Sequence, residues 1–108
     1  MTPEMFEHLL ESRIAKTRTV LGAKRKEYAA GGRDRLSNFN RASAMLGISR
    51  EKALLGMLAK HIVSILDIVD DFDTVKPSRE IIEEKIGDVI NYYVLLEAMM
   101  KEDCGYEI

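Results

Sequence analysis

The sequence contains few of the residues that cross-link a chain, restrict its backbone or supply large aromatic side chains. Its 108 residues include one cysteine, two prolines and no tryptophan, and only 6% are aromatic. The single Cys104 excludes an intramolecular disulfide and a cysteine zinc site, and it favours a reducing, intracellular setting. With so few aromatic residues, a hydrophobic core has to be built from aliphatic side chains and methionines.

Long apolar runs are also missing. No segment approaches the length needed to span a bilayer, and residues 1–10 carry charges instead of an apolar signal segment, so we expect neither membrane insertion nor secretion. The net charge of −2 and the pI near 5.7 give no global argument for nucleic-acid binding. A composition that is 46% hydrophobic and 31% charged suits a soluble, cytoplasmic globular protein, and its length predicts one domain over residues 1–108.

Three long segments show the periodicity of amphipathic helices, and nothing in the sequence alternates as a strand does. The pattern predicts helices over about residues 3–28, 50–71 and 78–101. Gly31-Gly32 is expected to break the first helix, and Pro77 precedes the last. Ser49 and Ser78 are expected to cap the second and third long helices. We therefore predict an all-α bundle.

A short fourth helix is predicted over about residues 38–45. Ser37 or Asn38 is the expected N-cap, and Gly47 is expected to end the helix in a left-handed conformation.

The last helix is apolar over about half of its circumference. A helix this apolar is usually central or part of an interface, and a small bundle covers little surface, so we expect a homo-oligomer. Its apolar stripe consists of Ile82, Ile86, Val89, Tyr93, Leu96 and Met100.

Two acids and an amide lie on one margin of this last helix. Glu84 and Asp88 are four residues apart, which places them on one face, and Asn91 lies beside them. Two carboxylates and an amide suit a hard cation such as magnesium, which takes one or two carboxylates and the phosphates of its substrate. The alternative is a polar helix margin whose charges are balanced by Lys85 and nearby cations.

The second long helix carries a separate polar stripe that includes Lys60, Ser64 and Asp67. Lys60 could bind phosphate as a point charge, or it could pair with Ser64 and Asp67 in solvent. His61 points with the apolar residues and has no second histidine or cysteine at ligand spacing, so we expect a structural role for it.

The connection after the first helix joins cations to two glycines. Lys24 and neighbouring basic residues flank Gly31-Gly32, and Tyr28 and Phe39 offer flat surfaces for a base. An ordinary solvated link between helices explains the same pattern. The order of residues is not that of a phosphate-binding glycine loop.

Taken in chain order, four short motifs resemble a group of small phage and prophage proteins. The motifs are Lys24-x3-Tyr28, Asp34-Arg35-Leu36-Ser37-Asn38-Phe39, Lys60-His61-x2-Ser64 and Glu84-x3-Asp88-x2-Asn91-Tyr92. That group is distantly similar to the all-α nucleoside triphosphate pyrophosphohydrolases, the MazG-like superfamily. The resemblance covers roughly residues 20–100.

This resemblance implies a magnesium-dependent cleavage of a (deoxy)nucleoside triphosphate between its α and β phosphates. It implies metal binding by Glu84 and Asp88. The substrate-binding residues expected from the matched motifs are Lys24, Tyr28, Asn38, Lys60 and Asn91. No catalytic residue is assigned.

The chain departs from the superfamily pattern in two places. The helix before Glu84 offers Lys60, Ser64 and Asp67 where the superfamily has Glu-x-x-Glu, and the spacing from Glu84 to Asp88 is one residue longer than usual. A non-catalytic phage accessory protein that binds a nucleotide or a host protein is therefore the alternative function. Carboxylates of a second helix, such as Asp67 or Asp71, converging on the Glu84–Asp88 pair would favour the enzyme.

Overall fold

A computed structural model of the chain describes residues 1–28 and 36–108, and the side chains of residues 23–28 are outside that description. The described residues form four α-helices and no strand, which confirms the predicted class. The helices are α1 (Pro3–Tyr28), α2 (Ser37–Leu46), α3 (Arg50–Asp70) and α4 (Arg79–Asp103). The expected break at Gly31-Gly32 lies outside the described residues.

The chain divides into two compact units, Met1–Arg35 and Leu36–Ile108. The first contains α1, which begins where the backbone N–H of Met5 donates to Thr2 Oγ1 at 3.1 Å. The second contains α2, α3 and α4. The assignment of residues 1–108 to a single domain stays a prediction.

Local capping signals set three of the helix ends in the second unit as predicted. Ser49 Oγ accepts from the N–H of Lys52 at 3.2 Å, and Ser78 Oγ accepts from the N–H of Ile81 at 3.1 Å. Gly47 ends α2 with φ of 67°, in the left-handed region that glycine adopts without a steric penalty.

The prediction that Ser37 or Asn38 caps α2 was wrong. The N-cap is Leu36, which makes no side-chain capping bond; its carbonyl accepts from the N–H groups of Phe39 and Asn40. Leu36 is buried in the core. Packing of an apolar side chain therefore fixes where this helix begins, and both polar residues lie inside its first turn.

Leu36, Leu54 and Met99 form the core of the α2–α4 unit. The half-buried residues packed against it are Phe39, Tyr92, Leu95 and Leu96. Two contacts show that α3 and α4 run antiparallel. Arg50 at the start of α3 contacts Asp103 at the end of α4, and His61 in the middle of α3 contacts Asp88 in the middle of α4. This pairing brings polar residues of the two helices together.

Arg50 connects the three helices of this unit. Its guanidinium donates to Asp103 Oδ1 at 2.7 Å and to Glu102 Oε1 at 3.1 Å, both at the end of α4. It also donates to Asn40 Oδ1 of α2 at 3.2 Å. Only 12% of its side chain is exposed, so these bonds hold a largely buried charge.

Much apolar surface stays exposed on α3 and α4. Most of the apolar stripe predicted for α4 is not buried against the unit. The buried residues of α4 are Gly87, Asn91 and Met99, while Ile82, Ile86, Tyr93 and Met100 are exposed; of the stripe, Leu96 packs against the core. Among the described residues, no helix has the length and hydropathy to cross a membrane.

Candidate functional site

The central feature between α3 and α4 is the pair His61 and Asp88. His61 Nδ1 lies 3.5 Å from Asp88 Oδ2, and each side chain is about one-third exposed, 29% and 35%. The contact is an ion pair when the imidazole is protonated. The alternative interpretation of this margin of α4 expected Lys85 and nearby cations to balance its acids; the partner that the structure brings to Asp88 is His61.

Two aromatic rings lie beside this pair. The rings of His61 and Tyr92 have centroids 5.0 Å apart at 40°, and Tyr92 meets Phe39 of α2 edge to face at 6.5 Å and 77°. Edge-to-face packing of this kind stabilises aromatic pairs. Tyr92 therefore links the core of the unit to the polar pair.

Asn91, one helical turn beyond Asp88, is the buried polar residue of α4. It is 9% exposed, and within the described part of the chain its Oδ1 accepts no hydrogen bond. A buried acceptor without a donor costs about 1–3 kcal/mol of folding free energy. An ordered water, an ion or a functional role can account for such a group.

Glu84 lies one helical turn before Asp88 on α4. It is exposed, and the described residues include no ion pair for it. They also contain no group of three or more His, Cys, Asp or Glu side chains that could hold a metal ion. Glu84 and Asp88 alone fall short of a resident magnesium centre, but they match the one or two carboxylates that meet a magnesium ion carried by phosphates.

Asp67 and Asp71 do not join Glu84 and Asp88. They line a separate groove of about 190 Å³ at the end of α3, whose other walls are Ile68, Val75 and Pro77. The convergence of second-helix carboxylates that would favour the enzyme is thus not formed by these two residues within one chain.

Comparison with protein-family models, curated proteins and solved structures found no match. The likeness to the phage group and to the pyrophosphohydrolases therefore rests on the sequence motifs alone.

The remaining predicted binding residues are spread over the chain. Lys60 is exposed on α3, next to His61, and Asn38 is exposed in the first turn of α2. The side chains of Lys24 and Tyr28 lie outside the described residues. Of the predicted substrate-binding residues whose side chains are described, Asn91 is the one that lies beside Asp88 as a buried group.

Sequence reasoning missed two features, the His61–Asp88 contact and the Arg50 cluster. Both depend on the register between α3 and α4. The connection between these helices is centred near residue 75, so an antiparallel hairpin places residue 61 opposite residue 88 or 89. Counting residues on either side of this connection could therefore have predicted the His61–Asp88 contact.

Proposed function

We propose that this chain binds a nucleotide at the cluster formed by His61, Asp88, Asn91 and Tyr92. The observation that carries the proposal is the buried, unpaired Oδ1 of Asn91. A ligand that donates a hydrogen bond to this oxygen would remove the cost of leaving it unpaired. Exocyclic amino groups of bases and hydroxyl groups of sugars are donors of this kind.

The neighbouring groups suit the other parts of a nucleotide. The Tyr92 ring, with Phe39 behind it, offers an aromatic surface that can stack on a base. Lys60 and a protonated His61 offer positive charge to phosphates. Asp88 and Glu84 can meet a magnesium ion that arrives with those phosphates.

Binding without hydrolysis is the form of this function that we favour. The resemblance to the pyrophosphohydrolases implies cleavage between the α and β phosphates, and two-metal cleavage uses carboxylates on both sides of the phosphate. The carboxylates available beside the cluster, Glu84 and Asp88, come from one helix. Release of pyrophosphate in the experiment below would replace our proposal with the hydrolase.

The proposed working form is a homo-oligomer in the cytoplasm of a bacterial host. Exposed apolar side chains on α3 and α4 support self-association. The resemblance to phage proteins and the single, exposed Cys104 support the location.

The proposal is tested by thermal unfolding with a panel of nucleoside mono-, di- and triphosphates, each with and without magnesium, followed by chromatography of the products. We expect at least one nucleotide to raise the melting temperature of the wild type without forming pyrophosphate. Asp88→Asn should lose this shift, and Asp70→Asn, an exposed control on α3, should keep it.

The unliganded melts of the same variants separate binding from structure. If Asp88 serves a ligand, Asp88→Asn should leave the stability without ligand unchanged or higher, because a partly buried carboxylate has been neutralised. If Asp88 serves mainly as the partner of His61, the same change should destabilise the fold by about 1 kcal/mol. The absence of any nucleotide-dependent shift in the wild type would refute the proposal.

A further inference from the structure

Two apolar stripes run along α3 and α4 at the spacing of paired helices. In the α3 stripe, successive residues lie four, three, four and three positions apart. The α4 stripe has six residues, and their spacing alternates between four and three positions in the same way. This alternation is the seam of helices that pack side by side. The α3 stripe consists of Leu55, Ala59, Ile62, Leu66 and Val69, and the α4 stripe of Ile82, Ile86, Val89, Tyr93, Leu96 and Met100. We call the two stripes together the outer apolar face.

Both stripes lie on the same side of the α3–α4 pair. Except for Ile82, which follows the exposed Ile81, each stripe residue follows by one position a residue that is buried or half-buried in the unit, for example Leu54 and Leu58 in α3, and Leu95 and Met99 in α4. One position is a rotation of about 100° around a helix. Because α3 and α4 are antiparallel, the same rotation turns their stripes toward one side.

The outer apolar face approaches the size of a specific interface. All of its α3 residues are exposed, and the larger ones range from 45% at Leu55 and Ile62 to 56% at Leu66. In α4, Tyr93 is 50% exposed and Met100 is 54% exposed.

Nine of the eleven members are exposed, whereas Val89 and Leu96 are half-buried and Leu96 packs against the core. Burying the exposed half of these nine side chains removes roughly 450 Å² per copy, at about 60–120 Å² for each fully buried aliphatic side chain and about 150–250 Å² for an aromatic one. Two copies would then bury about 900 Å², near the lower limit of specific interfaces.

The shape of this face fits a second copy better than a single peptide helix. An isolated amphipathic helix docks into a groove between helices. Here two neighbouring helices each carry their own stripe, and a matching pair of helices covers both at once. The same α3–α4 pair of another copy is such a partner, and a self-complementary patch is what a twofold interface requires.

The small core of the unit also supports pairing with a second copy. Five hydrophobic residues are buried in the described structure, Leu36, Ala53, Leu54, Leu58 and Met99. Domains of this size are marginal without additional burial, which oligomerisation supplies.

We propose that two copies of this chain pair through the outer apolar face, so that α3 and α4 of each copy form a four-helix bundle. This inference deepens the proposed self-association by naming its surface, and it is independent of nucleotide binding.

Light scattering coupled to size exclusion tests the pairing. We expect a mass near twice the 12.3 kDa of the chain. The double variant Leu66→Lys, Ile86→Lys should raise the dissociation constant by about 100-fold or more, because two lysines enter an apolar interface. The matched control Met45→Lys, Leu46→Lys changes two exposed apolar residues of α2 and should stay paired.

Hydroxyl-radical footprinting of the wild type tests the surface without any variant that could misfold. Tyr93 and Met100 lie in the face, and the more exposed Tyr106 and Met45 are the matched references of the same residue types. We expect oxidation of Tyr93 and Met100 to be about tenfold slower than that of their references, and the difference to shrink on dilution below the dissociation constant.

Three outcomes would overturn the inference. A dimer whose dissociation constant is unchanged by the double lysine variant would place the interface elsewhere, while leaving self-association intact. A stable monomer with reactive Tyr93 would refute both. A monomer with protected Tyr93 would show that another segment of the same chain, such as the apolar side of α1, covers the face.

Discussion

At the scale of single residues, Arg50 shows how one side chain joins distant parts of the chain. Burial lowers the pKa of its guanidinium, but hydrogen bonds to Asp103 and Glu102 outweigh that effect and raise this pKa above its ordinary value. A charge this well paired stabilises the contact between the start of α3 and the end of α4. Arg79, which is 81% exposed and pairs with Glu83 at 3.1 Å, is its exposed counterpart.

Replacing each arginine by methionine should therefore give different results. Arg50→Met is expected to lower the free energy of unfolding by about 1–2 kcal/mol, because it removes charge-assisted hydrogen bonds to two carboxylates that are themselves about half exposed. Arg79→Met should cost less than about 0.5 kcal/mol, the usual range of an exposed helical pair. Urea unfolding at neutral pH measures both, and equal losses would contradict the role given to Arg50.

Two carboxyl groups near Arg50 respond to pH in opposite directions. A hydrogen bond with Asp103 raises the pKa of Glu51, and the same bond, together with Arg50, lowers the pKa of Asp103. The folded state therefore favours protonated Glu51. Its contribution to stability is present below the unfolded pKa of about 4 and is lost as pH rises through the raised folded pKa. Asp103 contributes above its unfolded pKa and loses that contribution as pH falls.

Glu51→Gln should reveal how the protonation of Glu51 contributes to stability. Glutamine stays uncharged and keeps a donor for Asp103, so the variant should be more stable than the wild type at pH 7. Near pH 4 and below, the difference should diminish as Glu51 itself becomes protonated. Unfolding curves at the two pH values measure this, with the exposed Glu107→Gln as control. A variant that is less stable at pH 7 would contradict the assignment.

At the scale of helices, serine caps have a measurable effect where they bind the backbone. Ser78→Ala should lower the free energy of unfolding by about 1 kcal/mol, because one N–H at the start of α4 loses its acceptor. Ser37→Ala should change it by less than about 0.5 kcal/mol, since Ser37 lies inside α2 and Leu36 is the cap. Thermal or urea unfolding compares the two, and a larger effect at Ser37 would show that α2 is capped differently.

The same helices show what could be predicted from the sequence. Ser49, Ser78 and Gly47 bind backbone groups within one or two turns of their own position. The local sequence pattern was therefore sufficient to predict the three helix ends that they form. The start of α2 depends on burial of Leu36 against residues far along the chain, and no local pattern encodes that contact. The acid–amide margin of α4 was recognisable from its spacing, but the pairing of Asp88 with His61 requires the register of two helices.

At the scale of the whole molecule, the candidate site and the outer apolar face use neighbouring positions of the same helices. Asp88 precedes Val89, and Tyr92 precedes Tyr93, so each polar or aromatic residue of the cluster lies next to a member of the face. At these positions of α4, the residues of the cluster lie toward α3 and the apolar residue that follows each of them lies toward the outer apolar face. That division matches the two proposals, a bound nucleotide and a second copy of the chain.

Isothermal titration of wild type and Asn91→Leu with the nucleotide that stabilises the wild type most is the most direct test of the nucleotide site. Leucine matches asparagine in shape and has no polar group to leave unpaired. We expect at least about tenfold weaker binding, the effect of losing one hydrogen bond of about 1.4 kcal/mol, together with an unliganded protein that is as stable as the wild type or more so. Unchanged affinity, or a loss of stability without ligand, would contradict the account.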